Sequence, residues 1–439
     1  MPRLFGTDGV RGVANEDLTP DLALALGRAA GRVLAPGGEV VVGRDTRLSG
    51  PMLEGALVAG LCSAGTDVRL AGIVPTPAIA WLTLEEKAAG GAMISASHNP
   101  VPDNGIKFFS PEGFKIATVT EDQIETQMEE PGELPTGTDV GASAPIDDAL
   151  ERYVDHVVAA AGRLNGLRVV LDCAFGAAWE AGPEAFRRAG VNVVAINAEP
   201  DGARINVACG STDMTQLAER VVAEGADLGI GFDGDADRAL AVDERGGHVD
   251  GDRIIALCAL RLQEQGRLHG NIVVGTVMSN LGFTRALAER DIHVVAAPVG
   301  DRFVVEEMTT RGAVLGGEQS GHVIFAEHST TGDGILTGLM LAELVAAAGD
   351  PLSRLAHWYE PWPQVLINVR VRSRDALEGA EAVWDEVREV ESSLGEGGRV
   401  LLRPSGTEPV VRVMVEAAEA ATAQAAAERL AAAVEALAT

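Results

Sequence analysis

Short apolar runs recur along this chain, each closed by turn-formers and separated from the next by a stretch of helical length. Val40–Gly43 reads as a strand ending in Arg44-Asp-Thr-Arg47, and Ser49 is placed to cap a helix to Ala64 with Pro51 in its first turn. A strand follows over Val68–Ile73, then a helix from about Ala78 beyond Pro75 and Pro77. Gly91-Ala-Met-Ile94 begins a third strand, which runs into the turn-formers Ser95-Ala-Ser-His-Asn-Pro100. With Asn104–Phe109 beyond it, this order predicts a parallel or mixed sheet covered by helices.

The same alternation repeats twice. Residues 131–145, rich in Pro, Gly, Thr and Ser, mark a boundary, and a linking helix starts at Asp147. The second unit has strands over 167–174, 191–197 and 227–233, with helices over 177–189 and 214–224. The third has helices near 252–265 and from Ile335, with strands over 271–279, 292–299 and 314–317. Trp358–Pro363 is a second boundary. The last unit departs from the pattern: strands over 364–371, 399–402 and 410–416, with helices over 376–394 and 421–438, an α+β order. The expected fold is α/β: three similar α/β domains with mixed sheets (1–146, 147–248, 249–360) and a C-terminal α+β domain (361–439) around a central cleft.

Composition narrows the function. The 439 residues are 46% hydrophobic but only 4% aromatic, so the cores must be built from Ala, Val, Leu and Ile. A formal net charge of −29 makes nucleic acid or an anionic membrane a poor partner, and an anionic substrate must find locally concentrated Arg and Lys. No signal-peptide pattern opens the chain, and the most apolar helix candidate, from Ile335, is short and contains Glu343. Cys62, Cys173, Cys209 and Cys258 form no CxxC pair and read as buried free thiols in a reducing cytoplasm. Lysine occurs only at 87, 107 and 115, and two of the three follow the Ser95–Pro100 loop. Lys is a titratable point charge, which Arg is not.

Four stretches carry candidate chemistry. In the first, Ser95 or Ser97 stands at the end of a buried strand as a nucleophile or phosphate carrier, the alternative being a turn whose polar groups serve only the backbone. In the second, Asp233-Gly-Asp-Ala-Asp-Arg238, an extended backbone would point three carboxylates one way; their repulsion calls for a cation, and hard oxygen ligands favour Mg²⁺ or Ca²⁺. An EF-hand ending at Glu244 is excluded because Arg238 stands where Gly is needed, and a dinucleotide loop over Gly229–Gly234 because the residues that follow are acidic. In the third, Gly316-Gly-Glu-Gln-Ser-Gly-His322, the alternation of Glu318, Ser320 and His322 suits sugar hydroxyls, although a half-exposed hairpin fits nearly as well. The fourth, Arg403-Pro-Ser-Gly-Thr-Glu-Pro409 with Arg412 beyond, is an anion nest suited to phosphate. The opening Leu4-Phe-Gly-Thr-Asp-Gly-Val-Arg-Gly12 suggests backbone passing close to another part of the molecule.

Together, in this order, the four stretches resemble the defining motifs of the α-D-phosphohexomutase superfamily, over essentially the whole chain. The Phe5–Arg11 opening and Gln319 are most similar to the phosphoglucosamine mutases of that superfamily. The resemblance implies a mutase that interconverts glucosamine 6-phosphate and glucosamine 1-phosphate, on the way to UDP-N-acetylglucosamine and cell wall. It implies a phosphoryl group on Ser97 and Mg²⁺ held by Asp233, Asp235, Asp237 and that phosphoryl group, with glucosamine 1,6-bisphosphate as intermediate and activator. Glu318, Ser320 and His322 would bind the sugar; Arg403, Ser405, Gly406, Thr407 and Arg412 would hold the non-reacting phosphate. Arg11, Lys107 and Arg238 would neutralise charge, and His98, Lys107 and His322 are the candidate general bases. A hinge near Trp358–Pro363 would close the site against water. The resemblance also implies a homodimer, and the free thiols place it in the cytoplasm. The rival readings are a mutase of the same family acting on mannose or glucose phosphates, a metal-dependent phosphatase using Ser97, and a sugar-phosphate sensor without turnover.

Overall fold

The computed structural model describes residues 3–6, 8–129, 132–373, 376–404 and 410–437. Two compact units divide the chain, Met1–Thr276 with Ala297–Ala356, and Val277–Ala296 with His357–Thr439.

The first unit holds three sheets. The first is mixed and six-stranded, in the order Val10–Val13, Asp103–Phe109, Gly90–Ile94, Glu39–Arg44, Asp67–Ile73, Ser143–Pro145. Its central strands are parallel and fully apolar in their middles, as strands covered on both faces must be. Asp103–Phe109 returns antiparallel to Gly90–Ile94, so the Ser95–Pro102 loop is the link between two adjacent strands. Part of the Pro- and Gly-rich boundary, Ser143–Pro145, is itself an edge strand parallel to Asp67–Ile73. Ser49 starts the helix Gly50–Ser63 without capping it by its side chain; its hydroxyl instead accepts from Asn104 Nδ2 at 2.9 Å, tying that helix to the Asp103–Phe109 strand.

A helix that apolar runs alone do not reveal, Pro20–Leu34, begins with Thr19 accepting from Leu22 N and Pro20 in its first turn. It packs on Gly50–Ser63 through a core of small and aliphatic side chains that includes Leu26, Ala30, Leu53, Leu57 and Leu61.

The second sheet runs His248–Val249, Ala239–Asp243, Leu228–Phe232, Arg168–Asp172, Asn192–Ile196. Leu228–Phe232 is buried along its length and pairs antiparallel with Ala239–Asp243, leaving Asp233–Arg238 as the connection. In the third sheet Leu315–Gly317 lies parallel to Ile272–Thr276 and forms a hairpin with Val323–Phe325. No described helix is long and apolar enough to cross a membrane.

The second unit has a three-stranded antiparallel sheet with Val410–Ala417 between Gln364–Arg370 and Gly398–Pro404, covered by Glu381–Leu394 and Ala420–Glu435. The expected helix over 376–394 is therefore shorter at its start. Buried Glu416 in this sheet accepts from Asn280 Nδ2 at 3.1 Å and from Leu281 N at 3.2 Å, which fastens the helix Leu281–Ala288 to it.

Candidate active site

Ser97 is 1% exposed and sits in the left-handed backbone region at φ 52°. A non-glycine residue there costs on the order of 1–3 kcal/mol and persists only where its surroundings over-determine it. They do so here. Arg47, wholly buried, donates from Nη1 to the carbonyls of Pro100 (2.7 Å) and Asp103 (2.8 Å), and from Nη2 to those of Ser97 (2.9 Å) and Asn99 (2.8 Å). Its Nε donates to Asp45 Oδ2 at 3.0 Å. Asn206 Nδ2 donates to the Ser97 carbonyl at 2.8 Å from the second sheet's side. Ser95 belongs to this scaffold, since its Oγ donates to Asp45 Oδ2 at 2.6 Å and accepts the Ser97 N–H at 2.9 Å. The Ser97 Oγ is turned the other way and donates to Asp233 Oδ2 at 2.6 Å. His98, exposed, has Nδ1 at 3.2 Å from the same Oγ, and desolvation with the charges of Arg238 and Arg11 pushes its pKa down to about 4.

The acidic loop corrects the expectation of an extended segment. It is a turn: Ala236 is left-handed at φ 55° and donates its N–H to the Asp233 carbonyl at 3.1 Å. The turn brings ligand oxygens of Asp233, Asp235 and Asp237 within 4.8 Å of one another. Gly234 lets it pass against the serine loop, where a Cβ would come within 2.6 Å of the Ser97 carbonyl. Asp235 Oδ2 accepts from Thr76 Oγ1 at 2.6 Å and from Lys107 Nζ at 3.0 Å. The other oxygens, Asp235 Oδ1 and Asp237 Oδ1, are buried with no hydrogen-bond partner among the described residues. Burial and its acidic neighbours Asp237 and Asp235 push Asp233 well above the ordinary carboxylate range. Asp237 is equally buried, but Lys107 and His322 hold it well below. Three buried carboxylates with two orphaned oxygens fit a divalent hard cation, which would satisfy those oxygens and relieve the repulsion.

Lys107, 1% exposed, lies among Asp235, Asp8 (3.2 Å) and Asp237 (3.6 Å), and these carboxylates raise its pKa against the opposing effect of burial. Lys115 bridges Asp8 and Asp301, so both lysines downstream of the serine loop enter the cluster. Arg11 pairs with Asp8 and donates to Asn99 Oδ1 at 3.1 Å. Arg238 donates its N–H to Asp233 Oδ1 at 3.2 Å. The Nε of Arg11 and of Arg238 are buried without a hydrogen-bond partner among the described residues, which leaves donors for an oxyanion.

Glu318, Ser320 and His322 do not project together. They lie on a hairpin turn, not an alternating strand: Glu318 N donates to His322 O at 2.9 Å, and Gly321 N to Glu318 O at 3.0 Å. Ser320 is exposed and donates to Glu318 Oε2 at 3.1 Å, while Glu318 Oε1 accepts from Gly300 N at 3.0 Å. His322 is buried. Its Nε2 accepts the Gly332 N–H at 3.0 Å, which requires the ring proton on Nδ1, facing Asp237 Oδ2 at 3.7 Å. The ring thus links the hairpin to the acidic loop.

In the second unit, Arg403 and Arg412 are direct cross-strand partners, both half-buried on one face. Like charges so placed repel, and an anion bound between them would relieve that repulsion. Ser405, Gly406 and Thr407 lie outside the described residues, as does Thr7 of the opening motif. Sequence reasoning singled out neither Asp8, Lys115 and Asp301 nor Arg47, Thr76 and Asn206 as site residues. For Lys115 the scarcity of lysine was a signal; for a buried Arg among many surface arginines there was none.

The phosphoglucomutase/phosphomannomutase alpha/beta/alpha domains I, II and III match residues 2–134, 151–247 and 250–361, and the C-terminal domain of that family matches 366–433. The chain belongs to the phosphoglucomutase/phosphomannomutase family. It is 54% identical over 423 residues, 95% of each chain, to a phosphoglucosamine mutase of Moorella thermoacetica. It is 53% identical to one of Mycolicibacterium gilvum over 98% of each chain. The crystal structure of a phosphoglucomutase/phosphomannomutase family protein from Burkholderia thailandensis matches with a TM-score of 0.85 at 28% identity, covering 99% of this chain and 97% of that one. The family's three α/β domains and C-terminal domain account for the sheets described above.

Proposed function

We propose that this chain interconverts glucosamine 6-phosphate and glucosamine 1-phosphate through a phosphorylated Ser97. The observation that carries the reading is the 2.6 Å bond from Ser97 Oγ to Asp233 Oδ2, at the edge of a buried acidic cluster flanked by Lys107, Arg11 and Arg238. A hydroxyl in that setting suits a phosphoryl carrier, because phosphoryl transfer is governed by positioning and charge neutralisation. The amino sugar is supported by relatives at 53–54% identity that carry the name phosphoglucosamine mutase over nearly their whole length.

Asp233, Asp235 and Asp237, with the Ser97 phosphoryl oxygens, would hold Mg²⁺, which supplies charge neutralisation when bound. Arg11 and Arg238 donate to the phosphoryl oxygens. Glu318 and Ser320 accept and donate to sugar hydroxyls, and the Arg403 loop with Ser405, Gly406, Thr407 and Arg412 binds the phosphate that is not reacting. In the first transfer the Ser97 Oγ–P bond breaks and a bond from phosphorus to the sugar C1 oxygen forms. The sugar hydroxyl gives its proton to a base, and Ser97 Oγ recovers one. The product is glucosamine 1,6-bisphosphate. It turns end for end, and its 6-phosphate returns to Ser97, leaving glucosamine 1-phosphate.

Of the three candidate bases, Lys107 is engaged by three carboxylates and His322 by the Gly332 N–H, while His98 has Nδ1 at 3.2 Å from Ser97 Oγ and a pKa of about 4 that makes it a weak base. Three buried free cysteines and a half-buried fourth suit a reducing cytoplasm. The test is ³¹P NMR with Mg²⁺, glucosamine 6-phosphate and a trace of the 1,6-bisphosphate. Growth of the glucosamine 1-phosphate signal without free phosphate is the expected result. Release of inorganic phosphate points to a phosphatase instead, and faster turnover of mannose or glucose phosphates overturns the choice of sugar.

A further inference from the structure

We propose that Thr76 is a positioning residue that aims Asp235 at the cation and so sets the affinity of the acidic loop for a divalent metal. The proposal rests on the metal reading of that loop and adds a residue from a different sheet to it.

Thr76 lies between Pro75 and Pro77, at the start of the helix Thr76–Glu85. Neither proline has an N–H, and both limit the backbone, so Thr76 supplies the one backbone donor of the three residues from a fixed position. That N–H donates to the Asp235 carbonyl at 2.9 Å. Its Oγ1 donates to Asp235 Oδ2 at 2.6 Å. One residue therefore grips Asp235 at both main chain and side chain, and it is wholly buried while doing so. Lys107 Nζ takes the same Oδ2 from another direction, at 3.0 Å.

The consequence falls on the second oxygen. With Oδ2 occupied twice, the carboxylate cannot rotate without breaking two bonds, and Oδ1 is left buried and unpartnered in a cluster whose ligand oxygens lie within 4.8 Å. An oxygen oriented in this way is ready for a cation and costs free energy without one. Partners that orient a ligand from behind typically change metal affinity 10- to 100-fold when removed. Thr76 comes from the first sheet's side and Asp235 from the second, so the grip also fixes the acidic loop relative to the serine loop.

The test is titration of the purified protein with Mn²⁺ alone, without sugar, followed by electron paramagnetic resonance and calorimetry. Thr76→Val keeps the shape and removes the hydroxyl. It is expected to weaken Mn²⁺ binding roughly 10- to 100-fold, and Thr76→Ser to restore it to near the wild-type value. If Thr76→Val does not fold, Thr76→Ala removes the same hydroxyl and takes the same readout. Unchanged affinity in the Val or Ala variant overturns the proposal, and so does a Ser variant as weak as Val, because the hydroxyl would then not set the affinity. A wild-type protein that binds no Mn²⁺ overturns it together with the metal reading. The sugar reaction is followed separately by ³¹P NMR, so Thr76 can fail while the mutase assignment stands.

Discussion

Ser97 sits in a loop whose carbonyls are gripped by a buried arginine, while Ser320 sits exposed at the tip of a hairpin, bonded to Glu318. Both loops follow short buried strands, and both carry hydroxyl, carboxylate and imidazole groups nearby. They differ in how much of the surroundings is committed to them. The serine loop holds a left-handed Ser97 through Arg47, Asp45, Ser95 and Asn206, and strain of that kind survives only with such support. The hairpin is held through its backbone, with Gly251 N donating to Gln319 O and Ala239 N to Gly321 O at 3.0 Å each, while the Ser320 hydroxyl faces out and donates to Glu318. Where a bond is made and broken, atoms must be fixed in advance. On the proposed function a sugar is admitted and turned at the hairpin, where an outward-facing hydroxyl on a fixed backbone suffices.

The largest effect expected from breaking this contrast is at the carrier itself. Ser97→Ala should abolish sustained turnover while leaving the melting temperature near that of the wild type, because the Ser97 backbone contacts remain. Near-normal turnover in the ³¹P assay would remove Ser97 from the reaction. Next comes the clamp. Arg47→Ala leaves Asp45 buried without its ion-pair partner and removes a donor from four loop carbonyls, of which Ser97 O keeps Asn206 and Pro100 O keeps the Asp103 N–H, and should cost about 3–5 kcal/mol in urea unfolding. A loss below about 1 kcal/mol would mean that the loop holds its own shape.

The third prediction probes the scaffold behind the hairpin. Asp333 caps the helix Gly334–Ala348, accepts from Leu336 N and Tyr153 Oη at 2.9 Å each, and follows Gly332, whose N–H holds His322. Burial pushes its pKa up to about 6. The folded state therefore binds this proton more tightly than the unfolded chain does. The stability it contributes is complete below about pH 4 and is lost as pH rises through about 6, a difference on the order of 2–3 kcal/mol. Asp333→Asn keeps the acceptor oxygen and should flatten that part of the pH–stability curve; a variant with the wild-type pH dependence contradicts the assignment. The smallest effect is expected at the hairpin. Ser320→Ala should change stability by less than about 0.5 kcal/mol and raise KM roughly 2- to 10-fold, with kcat little altered. A collapse of kcat would place Ser320 in the chemistry and erase the contrast.

The serine and acidic loops were legible in sequence because their chemistry is written in consecutive residues and each follows a buried strand with a clear apolar run. What could not be read is how they converge. The three aspartates meet through a left-handed Ala236, which no propensity signals, and not through strand alternation. His322 turns inward to Asp237 while Ser320 faces out, because the segment is a hairpin turn. Asp8, Lys115 and Asp301 lie far apart in the chain and form one ionic cluster only after folding. The helix Pro20–Leu34 was signalled by Thr19 and Pro20, and it is missed when apolar runs alone are followed. The helix Asp301–Arg311 buries only Val304 and Met308 and has little apolar periodicity to find. Arg47 is the sharpest case: it is wholly buried in a chain with 35 basic residues, and burial is a property of the fold.

The central claim is that Ser97 carries the phosphoryl group, and label transfer tests it most directly. Protein incubated with Mg²⁺ and ³²P-labelled glucosamine 1,6-bisphosphate should acquire label on the peptide containing Ser97, and glucosamine 6-phosphate should then remove that label into sugar bisphosphate. Label that never reaches Ser97 in protein that still turns over the sugar phosphate would contradict the account.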